Sequence, residues 1–428
     1  MGKGYSRNGS TARSAKSSGV TGLVGGKLEE IAREGAQRML AEALELEVDE
    51  FLQRARYARG QEFRGYRNGH AAERTVGIGM GQVQVKMPRV SDVPAEVAAT
   101  GFESRIVGRY QRASEQTQRL LAQLYLEGLS TGDFEPVFRA LLGETAPLSA
   151  SSIIRLKGEW QGEFESWRAR RLDGHRYLYL WVDGVYLNAG REEEKTALLC
   201  VLGLNEQGEK ELLAMVPGYR ESMESWAGVL RDLRDRGLKR PMVVIGDGAL
   251  GIWAALREVW PQTRSQRCWN HRALNVLDKL PKRLWGQVRQ DLRQATTAAT
   301  RSACQERLEQ IAASLRQVGQ GAAAETVLRD LEDLLTFYDF PQEHWLHLRT
   351  TNPIESIFAG VRLRTNVTKR LPNVHSAASQ PHALYLVFKV VGRLSQHWRK
   401  VTGSNLCGLV LAGVRFVDGQ MAQQMAAS

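Results

Sequence analysis

The sequence predicts a multidomain α/β protein: a mixed-sheet core interrupted by an all-α insertion, behind a mainly helical N-terminal region. Three observations carry this. Residues 177–190, YLYLWVDGVYLNAG, are apolar and aromatic on both faces, as in a central, doubly covered strand. Residues 241–251, PMVVIGDGALG, repeat the pattern of an apolar run entering Asp-Gly, with a helix expected at 252–259. Residues 272–349 are dominated by Arg, Gln, Ala and Leu, with little β-branched content and a break near Gly319 and Gly321.

The expected organisation runs from the N-terminus as follows. At 428 residues the chain is long enough for two to four units, at roughly 150 residues each. Residues 1–24, rich in Gly, Ser and basic residues, read as a flexible basic arm, either phosphate-contacting or a plain terminus. Residues 25–112 hold a helix over 27–57, with Leu28, Ile31, Met39, Leu44, Val48, Phe51 and Leu52 as core or subunit contact. A β-hairpin follows around Gly81: Val76, Ile78 and Met80 alternate with small or polar residues, and Val83, Val85 and Met87 do the same. Arg64, Arg67, Asn68, Lys86 and Arg89 around it suit a phosphate backbone and fit a solvated basic face as well. Residues 113–172 read as helices over 113–127 and 133–142 and a third carrying Arg155 and Lys157, a helix-turn-helix-like order that any small bundle shares.

The core is expected over 173–271 and again over 350–413, with 272–349 inserted between and 414–428 as a polar tail that frays. Strands over 196–204 and 210–216, joined by the turn at 205–208, make an antiparallel meander with the first strand. Residues 222–236 form an amphipathic helix through Trp226, Val229, Leu230 and Leu233. Asp183 and Asp247 thus reach one sheet, where like charges repel and favour a divalent cation. In TTNPIES, Thr351 or Asn352 caps a helix, Pro353 fits its first position and Glu355 lies in its first turn. Oxygen-only ligation by these three selects Mg²⁺ or Mn²⁺. In RSQRCWNH, Cys268 and His271 supply two ligands only; His344 and His347 are the nearest second pair, and no zinc is expected. His271 is expected to hydrogen-bond near the acids or a polyanion, or else to cap a helix beside a buried Cys268.

Net charge is +11 and the isoelectric point about 9.6, which favours a polyanionic partner. Between Arg264 and Arg316, 11 Arg or Lys stand against 4 Asp or Glu, so the insertion is a second candidate basic platform. No run reaches the roughly 18 apolar residues of a membrane span. The N-terminus lacks a secretory core, and the four cysteines are too scattered for a disulfide framework, so a cytoplasmic protein is expected.

Two strand aspartates followed by a helix glutamate, in a β-β-β-α-β-α order, resemble the triad of an RNase H-like polynucleotidyl transferase. VDGVYLNAG, IGDGALGIWAALREVWP, QRCWNH and TTNPIES, with FRGYRNGH, VQVKMPR and LYLEGLSTGDF upstream, follow the order of bacterial insertion-sequence transposases of the Mutator type. The resemblance spans roughly residues 60–400. It implies an RNase H-like core and a DDE transposase that binds terminal inverted repeats, cleaves DNA and transfers the strand. Asp183, Asp247 and Glu355 would be the catalytic ligands of two Mg²⁺ ions, with Mn²⁺ able to substitute, and Cys268 and His271 would support them. Double-stranded DNA, met also by Arg267, Arg272, Arg362, Arg364, Lys369 and Arg370, and a homodimer or larger assembly are the implied partners. A structure-selective nuclease without joining activity and a silent DNA-binding relative are the alternatives.

Overall fold

The computed structural model describes residues 21–58, 60, 62–79, 81–127, 150–187, 196–218, 222–248, 250–367 and 382–422. The chain divides into two units, one holding the described residues through Tyr125, the other essentially those from Ile153 onward. The expected arm before residue 21, the helix at 133–142, and Lys369 and Arg370 lie outside the described residues.

The first unit contains α1 (Thr21–Leu52), β1 (Tyr66–His70), β2 (Arg74–Ile78), β3 (Gly81–Val85), β4 (Pro88–Ser91) and most of α2 (Glu115–Glu127). β2 and β3 form the expected hairpin, with Val76 opposite Val83, and β4 returns to pair with β1. Gly81 has φ +119°, a left-handed value that a side chain would strain. Alternation puts Val76, Val83 and Val85 on one face, in a core with Leu44 and Val107. The periodic residues of α1 do not share one environment. Leu44, Val48 and Leu52 are buried, whereas Leu28, Ile31 and Met39 are exposed.

The second unit opens with α3 (Ala150–Ala169) from Ile153 and continues with β5 (Tyr177–Leu187), β6 (Thr196–Asn205) and β7 (Lys210–Gly218). α4 (Met223–Asp235), β8 (Val243–Gly246), α5 (Leu250–Val259) and β9 (Arg264–Arg267) follow. The five strands lie in the order β7-β6-β5-β8-β9; β5, β6 and β7 are antiparallel, and β8 and β9 run parallel to β5. The meander, the amphipathic helix and the second Asp-Gly strand stand where the sequence puts them. β9 was not expected, because RSQR is short and polar. It is held by pairing with β8 and by fully buried Gln266, whose amide donates to the Leu334 carbonyl (2.9 Å) and accepts from the Phe337 amide (2.7 Å).

The sheet has two unlike faces. Leu180, Val182, Leu199, Val201 and Val244 pack with Trp226, Leu230 and Leu233 of α4 and Ile252 and Leu256 of α5 in one apolar core. Each such side chain stabilises the fold by roughly 1.5–3 kcal/mol. Gly246 is needed there, since a Cβ on it would stand 3.0 Å from Val182 and 3.3 Å from Trp253. The other face carries Tyr179 and Trp181. Tyr179 donates to His344 Nδ1 (2.7 Å), and the Trp181 indole donates to the His347 carbonyl (2.9 Å).

Over 272–349 the expected all-α segment comprises α6 (Trp269–Leu277), α7 (Trp285–Thr296), α8 (Arg301–Gln317), α9 (Gly321–Leu328), α10 (Leu331–Leu334) and α11 (Trp345–Leu348). The chain then returns to the sheet as α12 (Asn352–Val367) and α13 (His382–Ser395), followed by α14 (Cys407–Leu411). The stretch from Val414, expected to fray, instead forms a small hairpin of β10 (Phe416–Val417) and β11 (Gln420–Met421). Asp418 ties it to α8 by accepting from the Arg301 amide at 2.7 Å. The four cysteines are free and buried. No described helix is long and apolar enough to cross a membrane.

Candidate active site

The strands that carry the two aspartates are neighbours. β5 and β8 pair Tyr179 with Val243 and Trp181 with Ile245, a constant offset of 64 residues. The same offset separates Asp183 from Asp247, so continuing that pairing beyond its last pair, Trp181 with Ile245, would set them on the same face of adjacent parallel strands. Such strands run about 4.8 Å apart. Asp183 lies within β5, opposite Cys200 of β6, and its carboxylate accepts the Gly184 amide at 2.8 Å. Asp247 follows the last residue of β8, and its carbonyl accepts from the Trp253 indole (3.1 Å) and from Arg267 (3.2 Å).

The third acid comes from α12, which packs across β5 and β6. Thr351 precedes the helix, its carbonyl accepting from the amides of Ile354 and Glu355, both at 2.9 Å. Glu355 sits in the first turn, where the helix dipole favours an anion. The Thr351 hydroxyl donates to the Glu355 carboxylate. It also lies 3.2 Å from Cys268 Sγ, which accepts the Thr351 amide at 3.4 Å. Thr351 and Cys268 are both buried, so sulfur, hydroxyl and carboxylate form one relay.

Cys268 is the residue before α6, and His271 is in its first turn. The Cys268 amide donates to the Gly246 carbonyl (2.8 Å) and the Trp269 amide to the Arg349 carbonyl (2.9 Å), which locks this corner between β8 and the start of α12. Ligating atoms of Cys268, His271 and Glu355 all lie within 4.8 Å of one another. His271 Nδ1 is buried, 3.9 Å from Glu355 Oε1 and without a partner at hydrogen-bond distance. The adjacent Cys268 sulfur, helped by Asp247 and Glu355, pushes His271 up to about 9 against the opposing effect of burial.

The basic residues named from the sequence have different fates. Asn68, Lys86, Arg89, Arg155 and Arg362 are exposed, with Arg155 3.6 Å from Glu159. Arg67 is half-buried and paired with Glu45 and Asp49 of α1, and Arg64 is half-buried 3.9 Å from Glu62. Lys157 and Arg364 lie on α3 and α12. Arg267 and Arg272 are buried and spend their donors inside the chain. Arg267 binds the Asp247 carbonyl and Asp330 (3.1 Å) and stacks on Trp253; Arg272 binds the Thr326 carbonyl (2.6 Å) and Asp330 (3.5 Å). Both are thus engaged by groups of the chain itself, and Arg272 also lines a cavity with Gly248, Asn275 and Lys279. The contact of Thr351 with Cys268 had no sequence signal, since 83 residues separate them.

Residues 12–400 match the family model described as "Transposase, Mutator family". The chain belongs to the Mutator transposase family. It is 44% identical over 305 residues to the transposase for insertion sequence element IS6120 of Mycolicibacterium smegmatis, covering 71% of this chain and 92% of that one. It is 39% identical to the transposase for IST2 of Acidithiobacillus ferrooxidans, over 65% of this chain and 93% of that one. Among solved structures, the Drosophila P element transposase strand transfer complex aligns with 71% of this transposase and 86% of its own chain. Identity there is 12% and the TM-score 0.28, too low to carry an argument.

Proposed function

We propose that this transposase binds the terminal inverted repeats of its insertion sequence and cleaves and joins DNA with a metal-binding triad of Asp183, Asp247 and Glu355. The observation that carries this reading is the 64-residue offset common to the β5–β8 pairs and to Asp183 and Asp247, with Glu355 on a helix that packs across β5 and β6. The strand order, an antiparallel trio followed by two strands parallel to its innermost member, supports an RNase H-like core with the helices from α6 to α11 as its insertion.

The donor set fits a hard divalent cation. Carboxylates on one face repel each other, and oxygen ligands suit Mg²⁺, with Mn²⁺ able to substitute. Two such ions, when bound, stabilise the attacking and leaving oxygens of an in-line displacement. Asp183, Asp247 and Glu355 would hold them. Thr351 fixes the Glu355 carboxylate, Cys268 fixes Thr351, and the His271 cation offsets part of the negative charge. In the first step, water attacks the phosphodiester at the element's end and the bond to the 3′ oxygen breaks. In the second, the freed 3′-OH attacks another phosphodiester, whose own bond to its 3′ oxygen breaks and leaves a new 3′-OH, with no protein–DNA bond at any stage. Asn68, Lys86 and Arg89 are exposed and would meet phosphates, with Arg155 and Arg362 exposed on their helices. Residues 25–112 and 113–172 would then recognise the ends, and two copies of the chain would hold two ends.

The test is a strand-labelled duplex carrying the terminal repeat, incubated with the full-length chain in Mg²⁺ or in EDTA. A Mg²⁺-dependent nick at the repeat boundary, followed by joining of the 3′ end, is expected. Cleavage without joining would turn the reading into a nuclease; binding without cleavage in Mg²⁺ or Mn²⁺ would remove the catalytic reading.

A further inference from the structure

In the sequence, Cys268 and His271 are two ligands for a soft metal, too few for zinc. The fold brings them a third. Glu355 Oε1 stands 3.9 Å from His271 Nδ1, and with the Cys268 sulfur the ligating atoms all lie within 4.8 Å of one another. All three residues belong to the second unit. Cys268 is the N-cap of α6 and His271 the third residue of that helix, positions whose side chains meet over the first turn. The sulfur makes no capping bond to the helix, and His271 Nδ1 is buried without a hydrogen-bond partner. A buried ring nitrogen left alone is costly, and a cation that takes its lone pair removes that cost.

We propose that Cys268, His271 and Glu355 form an inhibitory site for a thiophilic divalent cation, Zn²⁺. Sulfur, imidazole nitrogen and one carboxylate oxygen are donors that select zinc over Mg²⁺, and three protein ligands with a fourth position open to water complete a tetrahedron. Tetrahedral Zn–N and Zn–O bonds of about 2.1 Å set the nitrogen and oxygen about 3.4 Å apart, so their 3.9 Å separation closes with a shift of about half an ångström. The ion replaces the ring proton, so the charge between sulfur and carboxylate stays positive. Glu355 is shared with the triad. An ion seated here therefore draws that carboxylate away from Asp183 and Asp247, and takes up the sulfur that lies 3.2 Å from the Thr351 hydroxyl. The inhibition rests on the triad reading above; the metal site does not.

Co²⁺, titrated into the full-length chain without DNA, is the probe, because a cobalt–thiolate bond gives a near-ultraviolet charge-transfer band that oxygen ligands do not. Binding of one equivalent with that band, displaced by Zn²⁺, is expected; no band would overturn the proposal. Cys200, Cys304 and Cys407 are also buried, and among the described residues none belongs to such a group. Cys268→Ser should therefore abolish the band, and a band that survives would put the metal on another thiol. His271→Asn and Glu355→Gln, each with an unchanged far-ultraviolet spectrum, should weaken Co²⁺ binding by about tenfold or more. Unchanged affinity in either would overturn the ligand set. Asp183→Asn breaks the triad but leaves this group whole, so it should keep the band, and losing it would also overturn the set. In strand cleavage with Mg²⁺, one equivalent of Zn²⁺ should lower the rate by about tenfold or more and one equivalent of EDTA should restore it. A rate unchanged with zinc bound would overturn the inhibition. Absence of any cleavage in Mg²⁺ alone would sink the triad reading and leave the cobalt result to decide the metal site.

Discussion

The two faces of the central sheet are made by the same strands and do opposite work. On one, Leu180, Val182 and Val244 are sealed beneath α4 and α5 with no charged group in the cluster. On the other, Tyr179, Trp181 and Ile245 lead to Asp183 and Asp247, beneath the segments that carry His344, His347 and Glu355. A strand alternates its side chains, so one residue of register decides whether a carboxylate lies in the apolar layer or in the candidate site. The apolar face supplies the rigidity that lets the other collect like charges.

The comparison breaks most readily at the acids. Asp183→Asn, Asp247→Asn and Glu355→Gln are each expected to lower strand cleavage by on the order of 10³-fold or more, with the melting temperature unchanged or raised as repulsion is relieved. Metal-dependent cleavage retained by any one of them would take that residue out of the triad. On the apolar face the outcome should invert. Leu230→Ala, at a fully buried position, is expected to cost about 2–5 kcal/mol in urea unfolding. Its cleavage rate per folded molecule should match the parent, and a selective rate loss would mean the two faces are not separable.

Smaller effects sharpen the contrast. Thr351→Val removes the hydroxyl between Cys268 and Glu355, and about 10–100-fold of activity should go with it. Thr351→Ser is expected to restore most of that rate; failure to do so would indicate a packing role. The smallest effect is in pH. Burial, aided by Lys210 and His344, holds His347 down to about 4 from its ordinary 6.5, and its Nε2 accepts the Thr402 amide at 3.2 Å. A histidine buried neutral contributes its full stability above about 6.5 and loses it as pH falls towards 4. Thermal unfolding across that window should show the loss in the parent and a shallower slope in His347→Asn; equal slopes would assign the acid sensitivity to other groups.

Sequence and structure divide the molecule along physical lines. The Asp-Gly strands, the meander, the amphipathic α4 and the capped helix of Glu355 were legible because each depends on local periodicity and capping within a short stretch. β9 was not, because four polar residues carry no period, and Gln266 is a strand residue only through partners about 70 positions away. The arginines mark the same limit. Arg67, Arg267 and Arg272 looked like phosphate ligands, yet intrachain acids and carbonyls engage them, and a positive charge in sequence does not say which anion it meets. By itself, then, the sequence determined most of the elements and the family and nominated the three acids, since these rest on residue type and order. Tertiary structure alone decided that β5 and β8 pair with the offset that separates Asp183 from Asp247, that Cys268 and Thr351 steady Glu355, and that one apolar stripe of α1 is left open. Those depend on contacts between segments far apart in the chain, which no local pattern encodes.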